Sequence, residues 1–90
     1  MVEINFTKNA VQKYKLLVNG IKKSIDIFLN NLKSGKIINE DLHDITPTDD
    51  DDKIFYKKVG DLHLIIAKTK NSWFILDFLT EEEIRKIIIK

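Results

Sequence analysis

The feature that most limits the fold is a change of period at Lys53. Upstream, apolar residues recur at helical spacing. Downstream, "KIFYKKV" (53–59), "LHLIIAKT" (62–69) and "SWFILDFL" (72–79) follow the period of two that an extended chain requires. All three runs are rich in β-branched and aromatic residues, which suit a pleated surface. Only Gly60-Asp61 and Lys70-Asn71 separate them, so the spacers are short enough for hairpins. The middle run is apolar almost throughout, as a central strand covered on both faces should be.

The N-terminal half reads differently. Val2, Ile4 and Phe6 alternate with Glu3 and Asn5, which predicts a short strand with one buried face. Thr7 can cap a following helix through its hydroxyl. Within that helix Ala10, Tyr14, Leu17 and Val18 fall on one stripe, and Asn19-Gly20 should stop it. Ile21, Ile25, Phe28, Leu29 and Leu32 form a second stripe that ends at Ser34-Gly35. Near the C-terminus Thr80 and Glu83 have the spacing of a capping box, opening a last helix with Ile84, Ile87 and Ile88 on one face. The expected order is β-α-α-β-β-β-α. This is an α+β fold, with a helical hairpin packed on one face of a small, largely antiparallel sheet. Residues 1–90 should make one domain.

Between the halves, residues 36–52 sustain no period and hold the sole proline and the run "DDDDK". Four aspartates followed by lysine is a sequence that enteropeptidase cuts after, but a cleavage scar belongs between a tag and a domain rather than inside one. A calcium loop would need carboxylates at alternate positions and a glycine at the bend, and has neither. The remaining reading is a solvent-exposed acidic loop over 36–52 that leads into the strand at Ile54.

Composition narrows the function classes. The chain is 43% hydrophobic and 32% charged, with no cysteine, so neither disulfides nor thiolate metal sites hold it. The first ten residues have no apolar core of a signal peptide, and runs such as 64–67 and 87–89 are too short to span a bilayer. A cytoplasmic protein with no membrane contact and no cofactor is expected. Net charge is +1, and Arg85 is the only arginine among fifteen cations. That is not the basic excess of a general nucleic-acid binder, and bidentate phosphate recognition is nearly unavailable. Glycine-rich phosphate loops, serine or cysteine nucleophile motifs and zinc spacings are all missing.

The element order and its residues resemble the RelE/ParE superfamily of small bacterial and archaeal toxins. "INFTKNAVQKYKLL" is similar to that family's opening strand and helix, and "SIDIFLNNLKSG" to its second helix. "DKIFYKKVGDLHLIIAKTKNSWFILDFL" resembles its three-stranded meander. The likeness implies a compact toxin neutralised by an antitoxin protein. RelE-like members cut mRNA on the ribosome, whereas ParE-like members poison gyrase. For the nucleases it implies a metal-independent reaction, in which cations on the sheet surround the scissile phosphate and a Tyr or His near the C-terminus moves protons.

Carried onto this chain, the resemblance points to Lys53 and Lys57 on the first meander strand and His63 on the next. Lys53, Phe55 and Lys57 alternate and so share one face, which His63 could join across the Gly60-Asp61 turn. A histidine ordinarily titrates near neutrality and could serve there as acid or base. His43 has no recognisable partner. After the last strand, where active members carry Arg and then His or Tyr, this chain has "LTEEEIRKI", whose glutamates would repel a phosphate. Two apolar residues are candidate partner contacts: Trp73, if it is the outward one of the Trp73-Phe74 pair, and Ile89, which is off the helix stripe. The leading expectation is a translation-inhibiting endoribonuclease acting through Lys53, Lys57 and His63. The alternative is a catalytically silent protein of the same fold that works by binding protein, as a gyrase poison or as a regulatory or viral interaction module.

Overall fold

The computed structural model describes residues 3–46 and 52–88, without the side chains of 87 and 88. The elements run β1 (Glu3–Phe6), α1 (Lys8–Lys15), α2 (Asn19–Ser34), a 3₁₀ turn (Asn39–Asp41), β2 (His43–Asp44), β3 (Lys53–Val59), β4 (Leu62–Lys68), β5 (Ser72–Leu79) and α3 (Glu81–Ile88). The strands form one sheet in the order β1-β5-β4-β3-β2. Among the described strands only the β1–β5 pair is parallel. The α+β class and the largely antiparallel sheet are as expected. The meander strands fall at 53–59, 62–68 and 72–79, against expected runs of 53–59, 62–69 and 72–79.

Thr7 does two jobs at the β1–α1 junction. Its hydroxyl accepts from the Ala10 N–H at 3.2 Å, capping α1, and donates to the Leu76 carbonyl at 2.9 Å, tying the helix start to β5. Both helices lie over the same sheet face. There Ala10, Ile25, Phe28 and Leu32 meet Phe55, Leu64, Ile66, Trp73, Ile75 and Phe78 in the main core. Each fully buried isoleucine or leucine in this layer contributes about 2–3 kcal/mol of transfer free energy. Trp73 is 3% exposed within this core, so it is unavailable to a partner. The outward, half-buried aromatic of the pair is Phe74. Ile89, the other candidate contact, lies outside the described residues.

Two local expectations fail for identifiable reasons. The chain leaves α1 at Leu16 and turns through Val18, whose backbone is extended, so Asn19-Gly20 opens α2 instead of closing α1. Val18 and Leu16 are therefore exposed at this corner. Segment 36–52 is not uniformly an exposed loop. Ile38 N–H donates to the Asp41 carboxylate, Leu42 is buried in the main core, and His43–Asp44 add a strand to β3. Asp49 to Asp51 lie outside the described residues, and Asp52 is exposed.

A bulge in β5 shapes the other face. Ile66 pairs with Ile75, but Ile65 pairs with Asp77, leaving Leu76 as the extra residue. The shift reverses the inside-outside alternation, so Phe78 joins the main core while Leu79 faces α3. At the bulge Asp77 reaches α1, accepting from Lys13 at 2.7 Å and Asn9 at 3.0 Å. A second, smaller cluster, with Ile65, Leu79 and Ile84 buried and Ile54, Tyr56 and Leu76 against it, seats α3 on this second face.

Candidate functional site

The structure does not bring Lys53, Lys57 and His63 together. The two-residue turn pairs Val59 with Leu62, so Lys58 stands opposite His63 and Lys57 opposite Leu64. Paired residues share a face, which puts His63 on the side away from the helices. Lys53 and Lys57 lie on the helix side, with buried Phe55 between them. Lys57 is half-buried, and Lys53 lines a recess with Asn39, Asp52, Lys68, Thr69 and Lys70.

What gathers on the second face is a polar row that the sequence did not suggest. His43 on β2 lies opposite Tyr56 on β3, with ring centroids 4.6 Å apart. The Tyr56 ring is 5.6 Å from that of His63 on β4. His63 Nε2 stands 2.9 Å from Oε1 of Glu81, the first residue of α3. Lys58 Nζ approaches the same oxygen at 3.9 Å, and Arg85 Nε donates to Oε2 at 3.4 Å. Three elements thus converge on one carboxylate: β3 through Lys58, β4 through His63 and α3 through Arg85.

Burial differs sharply along the row. His63 is 5% exposed, while His43, Lys58, Glu81 and Arg85 reach solvent and Tyr56 is half-buried. A carboxylate partner can only accept, so the proton of the short contact sits on Nε2. Nδ1 is buried and has no hydrogen-bond partner among the described residues. The Glu81 carboxyl is held below its ordinary range, first by the His63 hydrogen bond and then by the Arg85 bond, with Lys58 adding to the effect. It is therefore ionised at neutral pH.

The glutamate run reads differently once its helix is seen. Glu81, Glu82 and Glu83 occupy the first turn of α3, where the helix dipole favours negative charge, and Arg85 and Lys86 sit in its last turn. Glu83 closes the capping box: Thr80 N–H donates to its Oε1 at 2.9 Å, and its own N–H donates to Thr80 Oγ1 at 3.3 Å. Two of the three acids are thus engaged. The chemistry the row can perform is proton transfer at His43 and Tyr56, beside two cations able to stabilise an oxyanion. Among the described residues no group of three or more His, Cys, Asp or Glu could hold a metal ion. The same residues contain no helix long and apolar enough to cross a membrane.

No family model matches the sequence, and no curated protein matches it. Solved structures do. A chain of the archaeal RelE-RelB complex from Pyrococcus horikoshii OT3 superposes with a TM-score of 0.75 at 17% identity, over 88% of this chain and 93% of that one. A chain of the RelB-RelE antitoxin-toxin complex from Methanococcus jannaschii gives 0.67, also at 17% identity, over 92% and 96%. The likeness extends over nearly the full length of both partners, and it agrees with the element order and sheet topology described above. The chain has a RelE-like toxin fold.

Proposed function

We propose that this chain is the toxin half of a toxin–antitoxin pair, a translation-inhibiting endoribonuclease of RelE type that cuts mRNA without a metal. The observation that carries this reading is the polar row on the second face, where His43, Tyr56, His63, Lys58 and Arg85 meet across β2, β3, β4 and α3. In the reaction a base takes the ribose 2′-OH proton, and the 2′ oxygen attacks phosphorus. The P–O5′ bond breaks as an acid gives the leaving oxygen its proton, leaving a 2′,3′-cyclic phosphate. His43 and Tyr56, the accessible proton carriers, supply the base and the acid. Lys58 and Arg85 stabilise the charge gathering on the non-bridging oxygens. His63 supports the row from below, and Lys53 and Lys57 contribute only general positive charge. The fold shared with chains of two RelE–RelB complexes supports an antitoxin protein as the partner.

A second reading rests on the sealed state of His63: with Nε2 held by Glu81 and Nδ1 buried, the protein would act by binding a protein target such as gyrase. Induced expression in a bacterial host separates the two. Growth arrest with new mRNA 5′ ends, mapped by primer extension, is expected. Arrest with intact mRNA would move the weight to a protein target, and no arrest would overturn both.

A further inference from the structure

Glu81 is an odd centre for three donors. It is 50% exposed, yet it is the hydrogen-bond partner of the one buried histidine and the ion partner of Lys58 and Arg85. Only His63 makes a close contact, at 2.9 Å; Lys58 and Arg85 stand off at 3.9 and 3.4 Å. The cage is wider than the carboxylate within it, because good charge-assisted contacts close to about 2.7–2.9 Å. It also opens to water, since the Lys58 and Arg85 side chains are 58% and 67% exposed. Nor does the helix start need Glu81, because Glu83 supplies the cap. The side chain can swing into solvent without fraying α3.

We propose that the Glu81 carboxylate is a resident stand-in for substrate, occupying the place where a phosphodiester of single-stranded RNA binds between Lys58, His63 and Arg85. The proposal deepens the nuclease reading and rests on it for the identity of the ligand. In the free protein the glutamate keeps the cage filled and satisfies His63 Nε2. A phosphodiester carries the same single negative charge with more widely spread oxygens, so it can take over the His63 bond and draw in both cations. The positive end of α3 favours the incoming anion as it favours the glutamate. The glutamate therefore competes with substrate, and removing its charge should tighten binding rather than weaken it.

The test is binding of a fluorescein-labelled 2′-deoxy oligonucleotide, which lacks the attacking hydroxyl, and separately of inorganic phosphate. Both are measured at fixed salt, with His63 followed through its imidazole nitrogen resonances. Glu81→Gln should bind the oligonucleotide about tenfold more tightly than wild type, the scale expected from removing a charge next to the anion. Glu82→Gln removes the same charge from the same turn and should change affinity by about twofold at most, because its group is outside the cage. Lys58→Met or Arg85→Met added to Glu81→Gln should reverse the gain. Equal effects of the two glutamine variants, or no gain from Glu81→Gln in a protein that melts as wild type does, would overturn the proposal. A gain for phosphate alone would overturn the diester assignment. Cleavage is scored separately: tighter binding without RNA cleavage leaves the stand-in intact and removes the nuclease. Cleavage by wild type with no gain in Glu81→Gln does the reverse.

Discussion

The two faces of the sheet are built to different ends. Among the described residues, eleven buried residues under the helices, from Ala10 to Phe78, form a continuous apolar layer, whereas on the other face three, Ile65, Leu79 and Ile84, seat α3. The first face has the burial to hold the fold. The second keeps a row of imidazoles, a phenol and cations beside a short apolar seat, and it holds His63, the one buried polar residue among those described. A polar group buried with one nitrogen unpartnered costs stability, so its presence on the thinner face marks a place shaped by something other than packing.

That contrast can be broken by removing one isoleucine from each face. Ile66→Ala, in the centre of the helix-side core, should cost about 2–5 kcal/mol and lower the urea midpoint of the whole domain. Ile84→Ala, at a thinner site that can collapse, should cost about 2 kcal/mol, the low end of the range for a buried isoleucine, and act mainly on α3. Hydrogen exchange would show α3 amides losing protection while those of β4 and β5 keep theirs. Equal global losses from the two variants would contradict the division.

Acid separates the two faces with a smaller effect. Glu81 and Glu83 both titrate below the ordinary carboxylate range, held there first by His63 and by the Thr80 N–H respectively. A depressed carboxyl stabilises the folded state above its unfolded pKa, and that stabilisation is lost as pH falls through the folded value. Acidification below the ordinary glutamate range should therefore loosen α3 first. The amide resonances of 81–86 should shift before Trp73 fluorescence reports any change in the helix-side core. Simultaneous change of both would show that the faces open together.

Much of the architecture was legible in the sequence because the signals were local. The hairpin spacers, the alternation from Lys53 to Leu79, the Thr7 cap and the Thr80–Glu83 box each needed only a few neighbouring residues. The site was legible only in part. The placement of His63 opposite Lys58 follows from a two-residue turn, yet the expectation grouped it with Lys57, on the wrong parity. Trp73 against Phe74 was an even choice until burial decided it. The His43–Tyr56 contact was beyond reach, since a two-residue strand has no period and its partner lies across the acidic segment. The β5 bulge was equally hidden, because Leu76 continues an unbroken apolar run. The convergence on Glu81 depends on where α3 lands, which only the second apolar cluster determines.

On the proposed reading, the working face is the one away from the helical hairpin. The direct measurement is cleavage of mRNA on translating ribosomes by purified protein carrying paired substitutions on each face. Tyr56→Phe/Lys58→Met should lose at least about 100-fold in rate, the usual effect of removing an acid–base group and a charge-stabilising cation. Lys53→Met/Lys57→Met, on the helix side, should stay within about threefold of wild type, since no reacting group is lost. Retained cleavage in the first pair with loss in the second would return the active face to the helix side.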